Sequence, residues 1–138
     1  MRARALLTAA AALALLAGGC ASSGSRSSAR DFRGEQRLVA TTVEDLQSAA
    51  SDGDEGKICR ELMARSVVAR LAGRGRTCPQ TVKDALKDAD TSDMTVRSVR
   101  VNGARASASV KEERGKADRI STVRLVKEGG RWRIATFR

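Results

Sequence analysis

Three cysteines, at positions 20, 59 and 78, are the residues of this chain best suited to covalent chemistry. A thiol accepts a lipid group, pairs with a second thiol or binds a metal ion. The chain contains no His and no Tyr, so the commonest general base near neutral pH is missing, as is the commonest metal ligand. The sequence therefore predicts no catalytic residue, no metal site and no cofactor.

Cys20 follows a segment whose order of charge and hydrophobicity is typical of export. Two arginines lie within the first four residues, an apolar run interrupted only by Thr8 covers residues 5–17, and Gly18 and Gly19 precede the cysteine. A helix of the length of that apolar run is roughly 20 Å long, which is too short to span a bilayer. A basic start, a short apolar run and small residues at a cleavage position indicate a signal peptide over residues 1–19.

The residues Leu16-Ala17-Gly18-Gly19-Cys20 resemble the lipobox of bacterial lipoproteins. This resemblance implies cleavage before Cys20 and attachment of thioether-linked diacylglycerol to its sulfur. The mature chain would then be held by membrane lipid at the extracytoplasmic face of the cell membrane. The alternative is an ordinary secretory signal in which Cys20 lies just after the cut.

Residues 20–33 are predicted to combine the lipidated cysteine with a flexible tether, since half of residues 21–30 are Ser and none is large and apolar. Cys59 and Cys78 then remain as an even pair within a domain at 34–138. Outside the cytoplasm we expect this pair to form a disulfide. The alternative is two buried free thiols.

Apolar residues recur at helical spacing through the first half of the domain. A first helix is predicted at about 34–51 and is broken at Asp52-Gly53-Asp54. A second helical segment covers 55–63, and a short continuation is ended by Gly73. Cys78-Pro79 opens a third helix, because proline suits the first helical position.

The pattern changes to alternation after position 93, which predicts strands. The first strand carries a one-residue slip near Arg97-Ser98, and Asn102-Gly103 is the strongest hairpin signal. Strands are also expected over 104–111, 119–127 and Arg131–Phe137, separated by a polar turn and by Gly129-Gly130. By parity, Trp132, Ile134 and Thr136 share one face of the last strand, and Arg133 and Phe137 share the other. Helices followed by four sequential antiparallel strands predict an α+β fold with the helices on one face of the sheet.

Several segments, in this order and spacing, resemble the nuclear transport factor 2-like superfamily, specifically its small actinobacterial lipoproteins. They are Ala49-Ala50-Ser51-Asp52-Gly53-Asp54, Ile58-Cys59-Arg60-Glu61-Leu62, the second cysteine at 78, and Leu125-Val126-Lys127-Glu128-Gly129-Gly130-Arg131-Trp132-Arg133-Ile134. The resemblance implies a cone-shaped, cystatin-like α+β domain whose curved sheet wraps over the helices. It implies little about activity, since that fold hosts isomerases, dehydratases, immunity proteins and pure binding modules.

Basic residues of the predicted strands form the first candidate binding surface. If alternation holds, five lie on the sheet face away from the helices: Arg100, Arg105, Lys111, Arg124 and Arg133. Such a face attracts anionic lipid, a wall polymer or an acidic envelope protein; alternatively it is an ordinary solvated surface. Nucleic acid is not expected, because no aromatic residues interleave with the basic ones for base stacking.

The acidic residues and the cone interior supply weaker candidates. Acidic residues cluster in two places, and both clusters are expected at helix ends and on exposed faces. The first cluster contains Asp52, Asp54 and Glu55, and the second contains Asp84, Asp88, Asp90 and Asp93. Trp132 and Ile134 are expected to anchor the core, or otherwise to line a pocket within the cone. The sequence thus predicts a non-enzymatic binding domain on a lipid anchor; the alternatives are a small-ligand carrier or enzyme that uses the cone interior, and a sheet-to-sheet homodimer.

Overall fold

The computed structural model of the chain describes residues 27–89, 93–114 and 117–137. The predicted signal peptide, Cys20 and most of the tether lie outside the described residues. In chain order, the described residues form a 3-10 turn at Ser28–Asp31, helix α1 at Gly34–Asp52, helix α2 at Glu55–Lys57 continued by a π-helix at Ile58–Leu62, helix α3 at Arg65–Leu71, helix α4 at Cys78–Lys87, and strands β1 at Asp93–Asn102, β2 at Arg105–Arg114, β3 at Ala117–Glu128 and β4 at Arg131–Phe137.

The helix ends follow from local sequence signals. Gly53 closes α1 in the left-handed conformation at φ 66°, which glycine adopts without steric cost. The Asp54 carboxylate accepts a hydrogen bond from Lys57 N at 2.8 Å and so caps α2. Thr77 and Gln80 form a reciprocal capping box at the start of α4, and Pro79 lies in its first turn.

The four strands form an antiparallel meander in the order β1-β2-β3-β4. The predicted bulge in β1 is confirmed, since the register with β2 shifts between Val96 and Ser98. The first hairpin turn lies one residue later than the sequence predicted. Asn102 pairs with Arg105, so the turn residues are Gly103 and Ala104, and Gly103 has φ 57°.

A second register shift changes the faces predicted for the end of β4. Leu125 pairs with Ile134, but the next residue along β3, Arg124, pairs with Thr136. Position 135 is therefore an extra residue on β4, and Thr136 lies with Arg124 on the face opposite Ile134. Simple parity had placed Thr136 with Trp132 and Ile134, and that prediction is wrong because a bulge is not visible in the alternation.

The helices pack on one face of the curved sheet and fill the space that it encloses, which confirms the predicted α+β class. Trp132 and Ile134 are 4% and 1% exposed and belong to this core, as expected of core anchors. Trp132 also lines a groove described below, whereas Ile134 is not among the lining residues of that groove. The side chains that fill the centre are less than 2% exposed: Ile58, Leu125, Ile134, Val39, Val43, Val110 and Val123.

The two edge strands are covered by other parts of the chain. On β1, Val96 N donates to Ser28 Oγ at 3.1 Å, and Val99 O accepts from Gln36 Nε2 at 3.1 Å. On β4, Ile134 bridges to Met63 in parallel, and its carbonyl accepts from Ala64 N at 2.8 Å. Covering of this kind protects edges that would otherwise pair with another chain.

The ordered domain begins earlier than the sequence indicated. Residues 28–33 were predicted to belong to the tether, yet Ser28 and Ala29 are 8% and 4% exposed, and Phe32 packs against the core. The composition of 21–30 predicted flexibility, but the small side chains of Ser28 and Ala29 fit closely between α1 and β1. Ser28, Ala29 and Phe32 thus pack with the domain, and residues 20–26 of the predicted tether lie outside the described residues.

Candidate functional site

The two cysteines of the domain lie at the distance of a disulfide bond. The sulfur atoms of Cys59, in the π-helix, and Cys78, the first residue of α4, are 2.06 Å apart, and the Cα atoms are 6.1 Å apart. Both residues are buried, at 7% and 3% exposure. The disulfide predicted from the sequence thus joins α4 to the helical segment that packs on the sheet. Cys20, the predicted lipidation site, lies outside the described residues.

The sheet brings four of the predicted basic residues together on its outer face, which is the face turned away from the helices. Each strand contributes one, and we call this set the arginine face: Arg100, Arg105, Arg124 and Arg133. Arg100 and Arg124 both pair with Ser107, on either side of it. Arg105 precedes Ser107 by two residues and therefore points to the same face.

Carboxylates of the described residues do not neutralise the charges of the arginine face. Within the described residues, none of its four members forms an ion pair. Arg100, Arg105 and Arg124 are exposed, and Arg133 is half-buried because its guanidinium donates to the carbonyl of Arg60. Neighbouring like charges repel each other, so this surface has an unbalanced positive potential that favours an anion.

Lys111 does not join this group, although the sequence predicted that it would. It lies on the same face but six residues along β2 from Arg105, next to an acidic row. Its ammonium contacts Asp118 at 2.9 Å and Glu113 at 3.1 Å. Hydrogen bonds to Asp118 and then to Glu113 raise the pKa of Lys111. Its charge is therefore internally compensated, and it is not available to an anion in the way that Arg124 is.

A groove of about 490 Å³ continues the basic surface around the β4 edge. Arg60, Arg65 and Arg133 line it, together with Cys59 and residues of α3. Arg65 makes only a distant ion pair with Glu128, at 3.9 Å, and its side chain is 90% exposed. The basic surface thus reaches from the sheet towards the helical layer.

A second groove, of about 630 Å³, lies at the opposite end of the sheet and is acidic. Its carboxylates come from the middle and end of α1, the start of β1 and the end of β2: Glu44, Asp52, Asp93 and Glu113. It lies beside α1 and the edge strand β1. No group of three or more metal-ligating side chains occurs in the described parts of the chain.

Glu44 ties the N-terminal residues to this end of the domain. Its carboxylate accepts hydrogen bonds from Ser27 Oγ and Ser28 Oγ, both at 2.7 Å, and from Ala29 N at 2.9 Å. Burial alone would raise the pKa of Glu44, but these hydrogen bonds outweigh it and lower the pKa. This role could not be predicted from the sequence, because Glu44 occupies an ordinary polar position of an amphipathic helix.

Trp132 is linked to a charged pair beside a third groove, of about 260 Å³. Its indole Nε1 donates to Glu35 Oε2 at 2.6 Å, and Lys127 Nζ contacts Glu35 Oε1 at 2.8 Å. Leu38 lies across this groove and is 52% exposed. Leu62 completes the apolar part of the lining, and charged side chains such as Asp45 and Lys57 form the rest, so the groove is not purely apolar.

The two carboxylate groups noted in the sequence have structural roles where they are described. Asp54 caps α2, as predicted for a helix N-terminus. Asp84 contacts Arg76 and lies 2.9 Å from Lys87. Hydrogen bonds from Lys87 and then Arg76 lower the pKa of Asp84 to about 2. Asp88 is the C-cap residue of α4, and Asp90 lies outside the described residues.

Comparison with known proteins identifies the fold and nothing finer. No family model and no curated protein matches the chain. A solved structure, the de novo designed NTF2 fold protein NT-9, is similar with a TM-score of 0.51 at 12% identity, covering 76% of this chain and 87% of the designed one. A substituted form of Rd1NTF2_05 gives a TM-score of 0.50 at 14% identity, covering 76% and 98%.

These similarities show a nuclear transport factor 2-like fold. At such low identity, they carry no information about ligand or activity. Within the described residues, no helix has the length and hydrophobicity needed to cross a membrane.

Proposed function

We propose that this chain is an exported bacterial lipoprotein whose domain binds an anionic component of the cell envelope, without catalysing a reaction. The anchor in this proposal is diacylglycerol on Cys20, and the binding surface is the arginine face. The observation that carries the binding proposal is the set of four arginines, one on each strand, that have no carboxylate partner within the described residues.

Three features of the chain support export to an oxidising compartment. The segment 1–19 has the order of a signal peptide, and Cys20 follows it directly. Cys59 and Cys78 lie at bonding distance, and structural disulfides persist mainly outside the cytoplasm. If the Cys20 sulfur carries the lipid, the other two cysteines form one pair and no cysteine is left over. The lipid and disulfide assignments are therefore consistent with each other.

The packing of the interior favours the outer face as the binding surface. Ligand sites on folds of this kind need an accessible cavity lined by apolar walls and a few polar groups. Here the enclosed side of the sheet is occupied by α1 and by side chains such as Val43 and Val123, both fully buried. The outer face has no such cover, and Arg100, Arg105 and Arg124 are open to a partner.

Metabolic labelling with an alkyne-bearing fatty acid tests the anchor. The full chain should incorporate the label and remain with the membrane fraction, and Cys20→Ala should lose both properties. A chain carrying Cys59→Ala and Cys78→Ala is the matched control, because it changes two cysteines but keeps Cys20 and should keep the label. Membrane attachment that survives Cys20→Ala unchanged would overturn the lipoprotein proposal.

Charge reversal on the outer face tests the binding surface. Arg105→Glu with Arg124→Glu should reduce retention of the full chain on isolated anionic envelope material. The control is Arg70→Glu with Arg74→Glu, on α3 and the loop after it, which alters the net charge equally. Equal retention of both double variants would show that net charge, not the arginine face, governs binding.

A second candidate is a carrier of a small polar ligand, and the acidic groove of about 630 Å³ is the observation that favours it. Its carboxylates suit a cationic molecule rather than an anionic one. A ligand held there would contact Asp52 and Asp93, since the Glu44 carboxylate is engaged by three donors and Glu113 contacts Lys111. Asp52→Asn with Asp93→Asn would abolish such binding and leave the arginine face unchanged.

A further inference from the structure

We propose that the anionic component bound by the arginine face is the bilayer that holds the lipid anchor, so that the domain rests on the membrane through the outer face of its sheet. This inference rests on the proposed function and adds a specific ligand and orientation to it. The juxtaposition that carries it is a spread array of unpaired arginines within reach of a short tether.

The shape of the arginine face suits a surface of single charges. Its members lie on four neighbouring strands, so they span about 15 Å across the sheet and two rows, about 7 Å, along it. Arg100, Arg105 and Arg124 surround the small side chain of Ser107, and they are not among the residues that line any groove described above. A compact anion needs converging donors in a concave site, whereas headgroups of a bilayer present separate charges over a plane.

The tether is long enough for this contact. Six residues lie between Cys20 and Ser27, and the seven steps from one Cα atom to the next span at most about 25 Å. Ser28 contacts β1 through Val96 N, at the edge of the sheet. Arg100 lies four residues along the same strand, about 13 Å away. The outer face is separated from the residues around Ser27 by about one layer of secondary structure, roughly 10 Å, so the anchor does not prevent the sheet from lying on the membrane.

The distribution of charge along the sheet should tilt the domain relative to the membrane plane. Asp93, Glu113 and Asp118 form a row at the far end of the outer face, since Glu113 pairs with both of the other two. An anionic bilayer attracts the arginine face and repels this acidic row, which is about 25 Å away along β2. The basic end should therefore press on the membrane while the acidic end, where the tether joins, is lifted.

The tether also allows a surface with low affinity for the membrane to stay bound to it. One basic side chain near an anionic surface changes the partition by roughly fivefold, which is too little for a free domain to stay bound. A short flexible linker holds the domain at an effective concentration in the millimolar range. Arg100, Arg105 and Arg124 acting together then populate the docked state, and salt should weaken it because exposed charges are screened.

Arginine footprinting on the lipidated mature protein tests the orientation. The protein is reconstituted in two kinds of vesicle, one of phosphatidylcholine alone and one that also contains about 30% phosphatidylglycerol. Both samples are treated with phenylglyoxal, which modifies accessible arginines. Arg100, Arg105 and Arg124 should react at least threefold more slowly in the anionic vesicles, whereas Arg74, in the exposed loop after α3, should react equally in both. Equal reactivity of the three sheet arginines in the two vesicles would overturn the inference.

Sedimentation with the same vesicles tests the surface without the anchor. The mature chain carrying Cys20→Ser should bind anionic vesicles weakly, and Arg105→Gln with Arg124→Gln should reduce that binding by roughly 25-fold. Arg70→Gln with Arg74→Gln, which removes the same charge from the helical side, should reduce it less than threefold. Equal losses in the two double variants would contradict a docked sheet.

One further arm separates the bilayer from other anions. A soluble poly(glycerol phosphate) is added to the protein in phosphatidylcholine vesicles. Protection of Arg124 by the polymer alone, with none from phosphatidylglycerol, would overturn the bilayer inference but leave binding of an anionic envelope component intact. A protein that is never acylated at Cys20 would instead overturn the proposed function, and the Cys20→Ser measurements would still report on the face.

Discussion

Trp132 and Glu35 are joined by a hydrogen bond of 2.6 Å, from the indole Nε1 to Oε2, across 97 positions of the sequence. The second carboxylate oxygen contacts Lys127 Nζ at 2.8 Å, and the same ammonium lies 5.6 Å from the centre of the indole ring. Glu35 stands in the first turn of α1, so this contact fixes the start of the long helix against β3 and β4. It also satisfies the polar atom of the only tryptophan in the chain.

Glu35→Gln should lower stability because it removes the charge that both donors recognise. The hydrogen bonds from Lys127 and then Trp132 lower the pKa of Glu35 below its ordinary value of 4.5. Its stabilising contribution is therefore complete above that value and is lost as the pH falls through the folded-state pKa. Urea unfolding at pH 7 and pH 3, followed by Trp132 fluorescence, should show a larger difference for the wild type than for Glu35→Gln.

Glu61→Gln is the matched control for this measurement. Glu61 lines the same groove as Trp132, is exposed, and forms no ion pair within the described residues. Its substitution should leave the urea midpoint within experimental error. An unchanged midpoint for both variants would mean that the contact between Glu35 and Trp132 contributes nothing to stability.

Glu44→Gln should release the N-terminal residues from α1. The variant side chain offers one neutral acceptor in place of the carboxylate that holds Ser27, Ser28 and Ala29. We expect a loss of about 1–2 kcal/mol, at the lower end for hydrogen bonds to a charged group because the site is partly open to water. Since the folded-state pKa of Glu44 is lowered, this contribution is present at neutral pH and is lost on acidification.

Amide hydrogen exchange reports this release directly. Ala29 N and Val96 N should exchange faster in Glu44→Gln, because Ser28 bridges the carboxylate and the β1 edge. Asp45→Asn, at the next position of α1, is the control and should leave both amides protected. Unchanged exchange at Ala29 in Glu44→Gln would show that burial of the segment suffices without the carboxylate.

The order of the elements could be predicted from the sequence because each of them carries a local signal. Helical spacing gives way to alternation near position 93, and glycines or polar residues separate the strands. The slip in β1 was visible because Val96 and Val99 break the alternation. The slip in β4 was not, since Ala135 and Thr136 fit either face, and the shift appears only in the pairing with Arg124.

For the candidate surface too, features set by the local sequence could be predicted and contacts between distant residues could not. Alternation placed Arg105 and Lys111 on one face correctly, because both belong to one regular strand. It could not show that Lys111 is compensated by Asp118 from the neighbouring strand. The contact of Glu44 with Ser28 spans 16 positions and depends on how the turn folds back on α1, which no periodicity encodes.

Removal of the disulfide should reduce stability by about 3 kcal/mol, the value expected for a closed loop of this length from the entropy of the unfolded chain. The sequence separation of Cys59 and Cys78 is 19 residues. Cys59→Ser with Cys78→Ser should lower the midpoint of thermal unfolding, and reduction of the wild type should lower it similarly. Wild-type protein whose midpoint does not respond to a reductant would contradict a stabilising bridge.

The turn of the first hairpin can be assigned in two ways, to Asn102 and Gly103 as the sequence predicts or to Gly103 and Ala104 as in the structure. If Asn102 and Gly103 were the central pair, both residues would need positive φ, and Asn102→Ala would be costly. In the structure Asn102 is the last residue of β1 and pairs with Arg105, so Asn102→Ala should change stability by less than about 0.5 kcal/mol.

Gly103→Ala should cost about 1–2 kcal/mol, because Gly103 has φ 57° and a side chain is strained in that conformation. A Cβ at this position would have no heavy atom within 4 Å, so the cost comes from the backbone and not from a steric clash. Urea unfolding of the two single variants compares the assignments directly. A larger loss for Asn102→Ala than for Gly103→Ala would move the turn back by one residue and, with it, the register that places Arg105 beside Ser107 on the outer face.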